Sequence, residues 1–166
     1  YVALAMLAQA PERVQGIAML CTAPFADSEA AAQKRLAALD AVAQGRYFEL
    51  VAAAVANTFH PDSLANAPLM AARQAMVQDY GPARYAAHVR ATAARPDRSA
   101  LLDGSRPTLV LAGSHDKLFT PEALAAYAAR IPGAQQRVVG PAGHLAPMEQ
   151  PRAVAEALAQ WMGAAA

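Results

Sequence analysis

Residues 107–122 read PTLVLAGSHDKLFTPE, and residues 133–158 read GAQQRVVGPAGHLAPMEQPRAVAEAL. The first stretch opens as a strand entered through Pro107 and closes in a Gly-containing loop. A helix follows, with Thr120 at its cap, Pro121 at the first helical position and Glu122 in the first turn. The second stretch gives another short strand and loop, then a closing amphipathic helix with Val154, Leu158, Trp161 and Met162 on one side. Strand, helix, strand and helix with short links imply parallel strands, because a parallel pair needs a crossover between its members. The fold class expected is therefore α/β.

The same rhythm appears at the other end of the chain. Val2, Leu4, Ala5, Leu7 and Ala8 supply apolar groups around most of a helical turn, which predicts a buried helix. No Ser, Thr, Asp or Asn stands ahead of it as a cap. After the link "PER", Val14 to Leu20 is an apolar run closed by Thr22, Ala23 and Pro24, which predicts a buried strand. From Phe25 to Arg95 the character changes to several short helices with no β-branched run. Phe48, Val51, Ala52 and Val55 follow a helical step, as do Leu69, Arg73, Met76 and Tyr80. Pro61, Pro68 and Pro82 each suit a helix's first turn. The chain thus divides into an α/β part at 1–24 and 96–166 and a helical part at 25–95.

Composition narrows the partners. At 166 residues and 55% hydrophobic content, the chain suits one domain with a substantial core. A net charge of +1 with no long run of one sign gives no footprint for nucleic acid or for an anionic membrane surface. The apolar runs are interrupted well below the length of a membrane span. Cys21 is the single cysteine, so no internal disulfide framework or multi-Cys metal site is expected. No histidine pair has metal-ligand spacing, and no metal is expected. With no signal peptide visible, a cytoplasmic location is the expectation.

In an open parallel sheet, ligands bind outside the carboxyl ends of the strands. Two residues arrive there: Asp116, just past one strand, and His144, just past the next, 28 residues on. One helix-plus-strand unit separates them, so both reach the same rim. A carboxylate on an imidazole fixes its tautomer and stabilises the imidazolium that a general base becomes. Singly, an Asp before a helix is an ordinary turn residue, and a His after Gly an ordinary loop residue. In this order on consecutive strand ends, they are a candidate acid and base. His115 adjoins Asp116, but neighbours on a loop tend to point apart; His60 and His88 are expected to pack or face solvent within the helical part. Cys21 is expected to be buried and inert.

The strand, the G-x-x-D step, the T-P helix start and the G-H ahead of a helix opened by E-x-P resemble the C-terminal half of the α/β-hydrolase superfamily. The opening "YVALAMLAQAPERV" is similar to the segment that directly follows the superfamily's nucleophile elbow, G-x-S-x-G. The resemblance covers nearly the whole chain and is loose over 25–95, where the superfamily carries a variable helical cap. It implies His144 as general base and acid, Asp116 as its orienting carboxylate, and a serine nucleophile in the elbow preceding Tyr1. Asp27 is the alternative position for the acid. Ser28, Ser63, Ser99, Ser105 and Ser114 all lack the elbow setting. The resemblance further implies a small ester or lactone substrate without cofactor, under a roof including Phe25, Phe48, Phe59 and Met70. This chain alone is then expected to be inactive, and to self-associate or stay bound to an N-terminal half through its 14–20 strand. The superfamily's cofactor-free peroxidases, C–C hydrolases, dehalogenases and non-catalytic binding members are the alternatives.

Overall fold

Thr108–Gly113 is the most deeply buried run of the chain, with every residue out of contact with water, and it is the middle strand of the sheet. In the computed structural model, which describes residues 1–165, three parallel strands lie in the order β1 (Ile17–Leu20), β2 (Thr108–Gly113) and β3 (Gln135–Val139). Alternate β2 side chains feed two cores. Val110 and Ala112 pack with Leu4, Leu7 and Leu124, so α1 (Val2–Gln9) and α6 (Pro121–Ala128) cover one face. Leu111 packs with Val139, Ala146 and Val154, so α7 (Ala146–Glu149) and α8 (Pro151–Ala165) cover the other. A strand covered on both faces has no need of polar residues, which explains why 108–113 lacks the in–out alternation of a solvated strand.

The strand after α1 is shorter than the apolar run predicts. It starts at Ile17, because Arg106 donates its Nε–H to the Val14 carbonyl at 2.8 Å and its Nη2–H to that of Pro11 at 2.9 Å. A single 3₁₀ turn over Pro11–Arg13 occupies the rest of the link. The opening helix is half buried rather than buried all round: Leu4 and Leu7 face the core while Val2 and Met6 face water. In α8, Val154 and Trp161 are buried but Met162 is exposed.

Between β1 and β2 the described residues contain helices and turns but no strand: α2 (Glu29–Ala43), α3 (Tyr47–Ala53), α4 (Val55–Thr58) and α5 (Ala67–Ala93). Ser28 caps α2 by accepting the Ala31 N–H, and Asn66 caps α5 by accepting that of Leu69. Gly81, at φ +70°, breaks α5 into two limbs, and Pro82 begins the second. The helical face read through Phe48 and Val55 is interrupted at Ala54. Its buried aromatic is Tyr47, whose hydroxyl donates to the Val77 carbonyl at 2.9 Å, while Phe48 is exposed.

One carboxylate ties these helices to the sheet. Asp27, in the loop after β1, accepts N–H groups from Arg35 of α2 and from Arg95 beyond α5, the latter at 2.8 Å. The Asp27 and Arg95 side chains are 5% and 8% exposed. The hydrogen bond from Arg35 outweighs the cost of burial and, with the charges of Arg35 and Arg95, holds the carboxyl below its ordinary range. Asp27→Ala leaves two guanidinium groups without their counter-charge and is expected to cost about 3 kcal/mol. Because folding depresses the pKa of Asp27, its contribution is complete above about pH 4 and falls away as the pH drops through the folded value. Urea unfolding of wild type and variant at pH 7 and pH 3 measures this. The gap should narrow at pH 3, and an equal gap at both would refute the assignment.

Candidate active site

β2 delivers Asp116 through a tight turn in which the Asp116 N–H donates to the Gly113 carbonyl at 3.1 Å. The Asp116 carboxylate is fully buried. Its Oδ1 accepts the N–H groups of Leu118 at 2.8 Å and Phe119 at 3.0 Å, and its Oδ2 lies 2.9 Å from His144 Nδ1. Burial on its own raises the carboxyl pKa, but the hydrogen bond and charge of His144 and the two backbone N–H groups outweigh it. The net effect holds Asp116 below the ordinary carboxylate range. An ionised carboxylate only accepts, so Nδ1 of His144 carries a proton and Nε2 keeps the basic lone pair. The imidazole stacks on Phe119, centroids 5.9 Å apart and planes 25° from parallel, and its side chain is 24% exposed.

Absent side chains bring the two strand ends together. A Cβ on Gly113 would collide with the Gly143 carbonyl oxygen and sit 2.9 Å from that of Ala142. Ser114 N–H donates to the Val139 carbonyl and His115 N–H to that of Ala142, each at 2.8 Å. A Cβ on Gly143 would stand 2.7 Å from the Thr58 carbonyl oxygen and 2.9 Å from the His60 nitrogen. Glu149 completes the seam: Oε1 accepts the Gly143 N–H and Oε2 the His60 N–H, both at 2.8 Å. Leu145 N–H donates to the Thr58 carbonyl at 3.2 Å. In the sequence Glu149 stands out only as the residue opening E-x-P. Its bond to a backbone 89 residues away leaves no local signal.

The other candidates fall elsewhere. Asp27 belongs to Arg35 and Arg95, so the carboxylate on His144 is that of Asp116. His115 turns away from Asp116: its Nδ1 pairs with Ser114 Oγ at 2.8 Å and its ring meets His60 edge-on at 4.3 Å. His60 is buried beside Glu149, and His88 pairs with the Tyr80 hydroxyl at 2.8 Å. Cys21 is 3% exposed, and burial raises its thiol pKa to about 11. Among the described residues no group of three or more His, Cys, Asp or Glu side chains is gathered as metal ligands. No helix among them is long and apolar enough to cross a membrane.

Two clefts open beside near neighbours of the pair in the chain, one at Leu118 and Phe119 and the other at Leu145. A larger one, about 770 Å³, is lined by Phe25, Asp27, Arg35, Leu118 and Phe119. A smaller one, about 460 Å³, is lined by Tyr47, Val51, Val77, Tyr80, Leu145 and Met148. Leu50, Ala54 and Tyr85 line both. Of the four residues expected as roof, only Phe25 lines either cleft. Phe48 faces solvent, Phe59 is buried at 1% exposure in the seam against Gly143, and Met70 lines neither cleft.

Known proteins share the fold. A sequence profile described as alpha/beta hydrolase fold matches residues 1–151. A thermophilic esterase from Thermogutta terrifontis, solved with malate bound, superposes with TM-score 0.91 at 31% identity, over 99% of this chain and 61% of its own. A hydrolase from Pseudomonas aeruginosa PA01 superposes with TM-score 0.82 at 28% identity, over 98% of this chain and 60% of its own. An enol-lactonase from Burkholderia xenovorans LB400 shares the fold with TM-score 0.79 at 23% identity, over 97% of this chain and 61% of its own. The chain thus spans about three-fifths of the length of each of these relatives. No match is found among proteins with curated descriptions.

The seam at Glu149 is testable through stability. Glu149→Ala leaves the part-buried Gly143 and His60 N–H groups unpaired and is expected to cost about 2–4 kcal/mol. Glu149→Gln keeps one acceptor oxygen and should lose about half of that. Chemical denaturation of the three proteins tests the ranking, and a neutral Glu149→Ala would show that the carboxylate does not join the two segments.

Proposed function

Because the chain belongs to the α/β-hydrolase fold family, we propose that its whole protein is a serine hydrolase cleaving a small ester or lactone by acyl transfer. The observation that carries this is the 2.9 Å contact between a buried, ionised Asp116 and the Nδ1 of a partly exposed His144. The esterase and hydrolase relatives above 25% identity support the reaction class. In this reading His144 Nε2 takes the proton of a serine hydroxyl as the serine oxygen bonds to the acyl carbon. It then gives that proton to the departing alkoxide, and water repeats the sequence to release the acid. Asp116 orients the ring and stabilises its transient charge without taking the proton.

The serine is read as lying in an elbow preceding Tyr1, as the superfamily's chain order of Ser, acid and His requires. Two features support that placement. Arg95, which lines the larger cleft, stacks on the Tyr1 ring with its guanidinium 4.3 Å from the centroid, which puts Tyr1 next to a cleft-lining residue. The outer edge of β1 has no strand beside it among the described residues, which leaves room for the strand leading into the elbow. Residues 25–95 act as the cap, since Leu50, Ala54 and Tyr85 stand over both clefts.

In the whole protein, His144→Ala should lower kcat on a short-chain chromogenic ester by several orders of magnitude. Asp116→Asn should lower it on the order of 10⁴-fold, because the amide stabilises the wrong tautomer. Asp27→Asn should act on stability instead. A mild Asp116→Asn beside a crippling Asp27→Asn would assign the acid to Asp27.

A further inference from the structure

The smaller cleft is lined largely by apolar side chains, and several of its polar groups are already engaged. The Tyr47 hydroxyl donates to the Val77 carbonyl at 2.9 Å, and the Tyr80 hydroxyl pairs with His88 at 2.8 Å. The Arg73 guanidinium donates to the Val51 carbonyl. Asp79, at the margin, has an 84% exposed side chain facing Arg84. Most of the remaining lining is hydrocarbon and aromatic surface: Leu50, Val51, Val77, Leu145 and Met148 with the tyrosine rings. A hydrocarbon chain laid along these side chains is buried without stranding a polar group of its own. The larger cleft differs, since Lys34, Arg35, Asp27 and Arg95 line it.

We propose that the smaller cleft seats the acyl chain of the substrate, and that this chain is an unbranched, uncharged hydrocarbon of several carbons rather than acetyl. The inference rests on the acyl-transfer reading and assigns the two parts of the ester to the two clefts. His144 must protonate the leaving oxygen, so the leaving group lies beside its ring, in the cleft that Phe119 lines. The acyl group then extends across Leu50, Ala54 and Tyr85, the residues common to both clefts, into the smaller one. A volume of about 460 Å³ is within the range of small-molecule sites. Ala54 sits at the junction with a single methyl group, and bulk added there narrows the passage.

The test uses the whole protein and para-nitrophenyl acetate, butyrate, hexanoate and octanoate. Burying each added methylene should raise kcat/KM about fourfold until the cleft is full, so hexanoate exceeds acetate on the order of 10²-fold. Ala54→Trp at the junction, and Val77→Phe within the cleft, should each cut the hexanoate-to-acetate ratio at least about tenfold, the equivalent of losing about two buried methylenes. A wild-type series flat to within about threefold, less than one methylene's worth, overturns the inference and leaves the acyl-transfer reading standing. So does a ratio unchanged in a folded variant. If either variant does not fold, the wild-type series decides. Absence of hydrolysis for all four esters overturns both.

Discussion

Where the ends of β2 and β3 meet, backbone lies against backbone with no space for a side chain between them. Gly113 abuts the Gly143 and Ala142 carbonyls, and Gly143 abuts residues 58–60. That approach fixes the loop bearing His144 from two sides at once. The imidazole then reaches Asp116 without either side chain having to stretch. Protein interiors resist small displacements of close-packed groups, so orientation comes from the packing around the pair as much as from their own hydrogen bond. Glu149 adds a charged acceptor to the same seam and makes the helical segment at 58–60 part of the frame around the imidazole.

The two buried aspartates at the sheet's rim show how environment divides roles. Both are held ionised, yet one faces the guanidinium groups of Arg35 and Arg95, while the other faces the His144 imidazole. A carboxylate between two arginines has nothing left to offer a reacting group. Asp116 satisfies one oxygen with backbone N–H groups and leaves the other for His144. The backbone partners add to the imidazole in holding it charged, as a stabiliser of transient positive charge requires.

Much of this was legible in the sequence because it rests on local signals. The cap at Thr120, the strand at 108–113 and the order of Asp116 and His144 on successive strand ends follow from periodicity and turn chemistry. The missed features depend on partners distant in the chain. β1 begins three residues late because Arg106, 92 residues further on, takes the Val14 carbonyl. Tyr47 rather than Phe48 is buried because its hydroxyl has a carbonyl to bond on α5, which no helical step reveals. Phe59 reads as a cleft residue by composition but is buried, with its backbone against Gly143. Residues that line a cavity are apolar for the same reasons as residues that fill a core, and sequence alone does not separate them.

The single cysteine gives the rim a reporter of its own. Cys21 directly follows β1 at φ +50°, with its N–H donated to the Leu111 carbonyl at 2.8 Å and its thiol close enough to Asp116 to feel the carboxylate charge. A thiol with a pKa near 11 contributes almost no thiolate at neutral pH, and at 3% exposure it meets no reagent while the rim is closed. Alkylation of Cys21 therefore requires the strand ends to part first. A molecule occupying the clefts and holding the rim shut would slow that labelling. Ligands of this site can thus be ranked by thiol chemistry alone, with no turnover to observe.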